Sequence, residues 1–314
     1  MLDVRRLRLL RELALRGTIA AVAEALSFTP SAVSQQLGTL EREAGVALLE
    51  RTGRRVRLTP AGEKLVRHAE AVLERLEQAS AELAEARGGP AGPLRIGAFP
   101  TATRTIVPEA LVLLACRHPV LEPMVSETDP AAVAHALRAG DLDVALVHDY
   151  DLVPTALEPG LAAEPLCDEA MFLAASAPAP AGLEGLAVLA HGRDEPWIVS
   201  GPDTLCREVT ERMCRAAGFA PRVRHQVDEF ATVLAFVGAG QGVAVVPQLG
   251  ALSLPPGVCL TPLPVRRRTT IAYRSGAGPH PAIAALVRAL RDSVPAALRE
   301  DPPARRVAEA RSSA

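Results

Sequence analysis

Apolar positions along the first sixty residues recur three and four apart. Val4, Leu7, Leu10 and Leu13 form one such stripe, which predicts an amphipathic helix over 3–15 that Gly17 ends. Thr18 is placed to cap a short second helix from Ile19 to Leu26, where Ala21, Val22 and Ala25 permit close packing. After a three-residue turn, Thr29 stands as an N-cap with Pro30 in the first helical position, where the missing N–H costs nothing. A third helix then runs to about Ala44, and Gly45 closes it. A short helix, a tight turn and a capped second helix make a helix-turn-helix pattern. Turning Ala32, Val33, Leu37 and Leu40 inward leaves Ser31, Ser34, Gln35, Gln36 and Thr39 outside. Small hydroxyls and amides near a helix N-terminus can reach phosphates and base edges in a major groove, although on an isolated helix such a face can simply be solvated. The following segment favours the first reading. Leu48–Arg51 and Arg55–Leu58 flank Thr52-Gly53-Arg54 as a short hairpin with arginines at its tip, a wing suited to phosphates or a minor groove.

Thr59-Pro60 repeats the cap-and-proline start of a long helix reaching about Arg87. Its Leu65, Ala69, Val72, Leu76, Ala79 and Leu83 fall at alternating intervals of four and three, the seam of a two-stranded coiled coil. The seam is short and two of its members are alanine, so a helix packed on its own domain stays open as an alternative. Gly88 to Pro93 then breaks the chain as a hinge. Beyond it strand and helix signals alternate. Strands are expected at 94–99, 121–125, 141–147, 171–174, 196–199, 222–227, 242–246 and 269–273, with helices at 103–114, 130–139, 204–217, 229–237 and 281–290. A looser crossover occupies 148–168. This order implies an α/β domain with a largely parallel sheet. The tail after Glu300, rich in Pro, Ala and Arg, is expected to be disordered.

Composition sharpens the division. The chain has 314 residues, 49% hydrophobic and 22% charged, enough to bury full cores in two or three units. Its net charge is only −2, but residues 1–62 carry ten arginines against six acids, so a +4 head precedes a −6 remainder. Five scattered cysteines lack metal-ligand spacing, and Cys206 and Cys214, about two turns apart on one helix, are poorly placed for a disulfide. The N-terminus has no apolar signal core and no apolar run spans a bilayer, so a cytoplasmic protein without membrane contact is expected. The seven histidines, His135 and His225 among them, form no catalytic or metal constellation, so no enzyme, cofactor or metal is expected. Gly238 to Gly242 reads as a tight turn, because it follows a helix and precedes a strand, the reverse of a phosphate loop.

The stretch GTIAAVAEALSFTPSAVSQQLGTLEREAGVALLERTGRRVRLTPAGEKL, Gly17 to Leu65, resembles the winged helix-turn-helix of LysR-type transcription regulators in order, spacing and wording. The phrases LRIGAFPTATRTIVPEAL, LRAGDLDVALV and FVGAGQGVAVVP resemble landmarks of that family's two-lobed, periplasmic-binding-protein-like effector domain. The resemblance implies DNA contacts at Thr29, Pro30, Ser31, Ser34, Gln35 and Thr39, and wing contacts at Arg51, Thr52, Arg54 and Arg55. Departures occur at Pro30-Ser31, where many members have Gln-Pro, and at Gln35, where many have Arg; the usual basic residues near Gly38 and Thr39 are also absent, so the operator cannot be carried over. Four parts are implied: a DNA-binding head (1–62), a dimerising linker (63–92) with its seam at Leu65, Val72, Leu76 and Leu83, an effector domain (93–300) and a tail (301–314). Lobe one would comprise 93–150 and 269–300, and lobe two 165–267. A small metabolite, with a carboxylate as candidate headgroup, would bind between the lobes at Thr101, Thr103, Asp129, Ser200 and Thr204, with Phe230 or Trp197 as an apolar wall. Asp129-Pro130 stands where the family often has Ser or Thr, a departure that opens the alternative of a ligand with a donor group on that side. Thr101, Thr103 and Thr204 could equally just cap their helices. The implied partners are double-stranded DNA, the effector, a homodimer or homotetramer, and RNA polymerase.

Overall fold

The computed structural model describes residues 1–26, 28–52, 55–180 and 182–299. Three helices build the head: α1 (Val4–Arg16), α2 (Ile19–Ala25) and α3 (Pro30–Ala44). Each starts on a side chain that satisfies free N–H groups. Asp3 accepts from the amides of Arg5 and Arg6, Thr18 from Ala21 and Thr29 from Ala32. Gly17 and Gly45 end α1 and α3 in the left-handed conformation. Leu7, Leu10, Leu13, Val22, Val33, Leu37 and Leu40 close one core, whereas Val4 is left 39% exposed. Strands β1 (Leu49–Thr52) and β2 (Arg55–Leu58) pair antiparallel beside it, and α4 (Pro60–Ala86) follows. The α4 seam divides. Leu65 and Ala69 pack into the head core, while Val72, Leu76 and Leu83 are exposed.

The remaining elements are β3 (Gly92–Ala98), α5 (Pro100–Thr105), α6 (Val107–Arg117), β4 (Leu121–Glu127), α7 (Pro130–Ala139), β5 (Val144–Tyr150) and β6 (Leu161–Ala175). They continue with β7 (Pro196–Val199), α8 (Leu205–Ala216), β8 (Arg222–Gln226), α9 (Phe230–Gly238), β9 (Ala244–Pro247), β10 (Cys259–Arg274), α10 (Pro281–Asp292) and α11 (Ala296–Arg299). The single helix expected over 103–114 is two, because Pro108 has no N–H to donate back into the preceding turn.

The sheet also departs from the expected parallel one. Among the described residues, six strands run in the order β4-β3-β5-β10-β6-β9. Only β3 with β4 and with β5 are parallel in it; β10 runs antiparallel to β5 and β6, and β6 antiparallel to β9. The end of the expected loose crossover, from Leu161 on, lies in β6, a 15-residue strand, and the return is the 16-residue β10. Both run through the two lobes and pair with each other, which makes the sheet mixed. A smaller parallel pair, β7 and β8, completes lobe two.

The expected turn before β9 is confirmed by its packing. A Cβ on Gly242 would stand 2.2 Å from the Pro196 carbonyl oxygen, to which Val243 N–H donates. Gly276, at φ +85°, lies against α4 so closely that a Cβ would come within 2.4 Å of the Glu74 carbonyl oxygen. Beside it Arg274 donates to Glu77 at 2.6 Å, fastening the linker helix to lobe one. Among the described residues no helix is long and apolar enough to cross a membrane.

Candidate functional site

The exposed face of α3 carries Ser31, Ser34, Gln35 and Gln36, with Thr29 and Pro30 exposed at its start. Thr39 donates to the Gln35 carbonyl and accepts from Arg42 Nη2 at 2.8 Å. Arg42 thus brings a cation onto the turn where the sequence had none, through an i,i+3 spacing that could have been read in advance. Arg6 of α1 donates to Gln36 at 2.8 Å and pairs with Glu43, adding a second charge to this face. The wing hairpin pairs Thr52 opposite Arg55, so Thr52, expected in the tip, belongs to β1. Arg54 lies outside the described residues, as do the side chains of Arg51, Thr52 and Arg55.

Arg8, Arg11 and Arg16 of α1 turn away from that face, so the basic charge of the head is divided between two surfaces. Arg8 donates to the Arg138 carbonyl of α7, and Arg16 meets His135 Nδ1 at 2.7 Å. Between them lies Glu12, fully buried, accepting from Arg11 at 2.7 Å and Arg16 at 3.1 Å, with Arg138 Nε at 3.7 Å. Burial opposes its charge, but the hydrogen bonds and charges of Arg11, Arg138 and Arg16 outweigh it and hold the carboxyl below the usual range. Arg138 also pairs with Glu158 on the crossover.

A cavity of about 620 Å³ lies between the lobes. Thr101, Asp129, Ser200, Thr204 and Phe230 line it, as the sequence suggested. Two expected residues do not. The Thr103 hydroxyl is committed to the Pro100 carbonyl and Glu127, and Trp197 is fully buried in lobe two with its Nε1 donating to Gly192. Thr204 and Asp129 cap α8 and α7 while they face the cleft, so capping and lining coincide.

The cleft floor was not foreseen. Arg267 of β10, 1% exposed, donates to Glu169 at 2.6 Å and to Thr101 Oγ1 at 2.9 Å, over the Phe99 ring. Burial alone would lower its basicity, but the Glu169 carboxylate raises it, so the guanidinium stays charged. In sequence it hides inside Arg266-Arg267-Arg268, which reads as a surface run. His148 lines the same wall; burial, with Arg267 nearby, drives its pKa well down and keeps the ring neutral. Cys206, also lining, lies 3.1 Å from the Tyr150 hydroxyl, and burial pushes its thiol up. Cys214, two turns along α8, is pushed up to about 12 by burial and by Glu211. Among the described residues no cluster of His, Cys, Asp and Glu is arranged to hold a metal ion.

Comparison with known proteins agrees with both halves. Residues 4–63 match the family described as bacterial regulatory helix-turn-helix protein, lysR family, and residues 87–295 match the LysR substrate binding domain. A probable HTH-type transcriptional regulator, LrrA of Synechococcus elongatus, is 29% identical over 94% of this chain and 98% of its own length. A probable hydrogen peroxide-inducible genes activator of Streptomyces viridosporus is 31% identical over 87% of this chain and 88% of its own. Among solved structures, a mutant of OxyR from Corynebacterium glutamicum superposes with a TM-score of 0.56 at 27% identity, covering 93% of this chain and 92% of that one. With a helix-turn-helix head, a two-lobed cleft and a family match to each, the chain belongs to the LysR family of DNA-binding, effector-responsive transcription regulators.

Proposed function

We propose that the head reads double-stranded DNA through Thr29, Pro30, Ser31, Ser34, Gln35 and Thr39. Arg6, Arg42 and the wing residues Arg51, Thr52, Arg54 and Arg55 hold the phosphates, and a small molecule in the cleft sets the outcome. The observation that carries this reading is the buried cluster of Glu12, Arg11, Arg16 and Arg138. Arg138 sits on α7 and grips Glu158, and Glu158 is part of the cavity wall. Any movement of the lobes around a ligand displaces that wall, and with it the surface on which α1 rests. A ligand can act only through such a difference in contacts between two states.

The exposed apolar row of Val72, Leu76 and Leu83 supports dimerisation through α4, which would present two heads to two half-sites. Leu65, assigned to the same seam from sequence, serves the head core instead. The units are then a head (1–62), a linker (63–92) and an effector domain (93–300) of two lobes, one of 93–150 with 269–300 and one of 165–267. The protein acts in the cytoplasm as a regulator and not an enzyme, with RNA polymerase as a further partner. The peroxide response is named for the Streptomyces relative and belongs to that protein; in this chain burial raises the thiol pKa of Cys206 and Cys214, which disfavours the reactive thiolate. The test is a genome-wide footprint with purified protein. Discrete sites whose ranking changes in Ser34→Ala or Gln35→Ala support the reading; binding without sequence preference refutes it.

A further inference from the structure

The charges around the cleft point away from an anionic ligand. Arg267, the one cation among the residues described as lining it, is already matched by Glu169, with both side chains at most 1% exposed. Several of the N–H groups near the cleft that could greet a carboxylate are already taken by carboxylates of this chain, while α5 and α8 begin on Phe99 and Thr204. Asp129 accepts from Ala131 N–H at the start of α7, and Glu229 accepts from Ala231 and Thr232 N–H at the start of α9. Asp228 accepts from Gly201 N–H in the turn before α8.

Carboxylates line the cavity from both lobes. Glu127 and Asp129 come from lobe one, Asp203 and Asp228 from lobe two, and none of the four forms a salt bridge among the described residues. Asp149 and Glu158 also line the cavity but are matched by Arg268 and Arg138. Asp129, Asp228 and Cys206 all line this one cavity. A second, independent feature lies at the same wall. His148 is 93% buried, neutral, and its Nδ1 has no hydrogen-bond partner among the described residues. A neutral imidazole nitrogen accepts readily from an N–H donor. Phe99, Phe230 and Leu157 supply apolar surface between these polar groups.

We infer that the effector is an organic cation, an ammonium or guanidinium compound with an apolar body, held between Glu127 and Asp129 of one lobe and Asp203 and Asp228 of the other. This rests on the cleft being the effector site. A bare metal ion fits less well, since no three ligating side chains converge. Unneutralised carboxylates on two lobes repel each other, and a cation between them removes that repulsion and favours closure. This inference departs from the carboxylate headgroup named as a candidate from the sequence and takes up the donor-bearing alternative.

The test is calorimetry on the full-length protein at low ionic strength with matched probes: benzylamine against benzoate, and hexamethylenediamine against adipate. Each amine is expected to bind about tenfold or more tightly than its carboxylate mate. Asp129→Asn with Asp228→Asn, which keeps both backbone caps, should abolish that preference, and Glu109→Gln on the exposed start of α6 should preserve it. Equal or stronger binding of the carboxylates, no heat from any of the four probes at millimolar concentration, or binding of calcium or zinc alone would each overturn the inference. So would a preference that survives the double substitution. Gel shifts of the same preparations on genomic DNA test the regulatory reading separately, so either can fail without the other.

Discussion

Replacing Glu12 by Gln keeps the shape of the side chain and removes the one anion buried among three guanidinium groups. Breaking one partner of a buried ion pair costs about 3–5 kcal/mol, because the other charge stays desolvated and unmatched. The local geometry sets where in that range this site falls. Arg138 retains Glu158, and Arg16, 22% exposed, retains His135 and water, so Arg11 at 7% exposure is the group left without an anion. One stranded charge places the expected cost near the lower end, about 3 kcal/mol. The cluster lies between the head and lobe one, so the protein can relieve that cost by releasing α1 from α7 and letting water reach Arg11. Glu12→Gln should therefore loosen the head without unfolding either part. Hydrogen exchange is the assay, with faster exchange expected in α1 and α7 and unchanged exchange in β3 and β5; small-angle scattering should show a larger radius of gyration. Acid should reproduce the effect in the parent protein. The Glu12 carboxyl is held below its ordinary value, so the stability it gives is complete above about pH 4–5 and is lost as pH falls through the lowered value. Unchanged exchange in α1 and α7 of Glu12→Gln would show that the cluster does not hold the head.

Leu76→Glu sets a charge mid-way along the exposed row of α4 against its symmetry mate, and light scattering should find monomers; a dimer of unchanged affinity would assign assembly elsewhere. Removing Arg6 and Arg42 together, by Arg6→Ala and Arg42→Ala, should weaken DNA binding on every sequence and flatten the slope of log K against log salt by up to about two counterions; an unchanged slope would remove both from the phosphate contacts. Thr101→Val keeps the volume but takes an acceptor from Arg267, so the effector response should fall by about tenfold while DNA affinity without effector is kept; equal loss of both would make Thr101 structural. In the folded protein at pH 8, iodoacetamide should modify exposed Cys116 far faster than Cys206 or Cys214, whose thiols burial keeps protonated, and rapid labelling of Cys206 would contradict that placement.

The local order of this protein was legible in the chain. The caps at Thr18, Thr29 and Thr59, the closing glycines at 17 and 45 and the helical apolar stripes depend on neighbours within four residues, which sequence supplies directly. The wording of the winged helix-turn-helix carried the family for the same reason. Features made by distant segments were not legible. Glu169 and Arg267 are 98 positions apart, and only the pairing of β6 with β10 makes them neighbours at the cleft floor. The same pairing drew the end of an expected loose crossover into a sheet strand and buried Arg267 against Glu169, while its neighbour Arg268 stays part-exposed beside Asp149 and Asp151. Nothing local to α1 marks Glu12 as buried; α7 and Arg138 close over it from 126 positions away. Whether an arginine faces DNA, a partner lobe or a buried carboxylate is decided by the charge and solvent around it in three dimensions. Periodicity names the face it lies on, and the fold decides what that face meets.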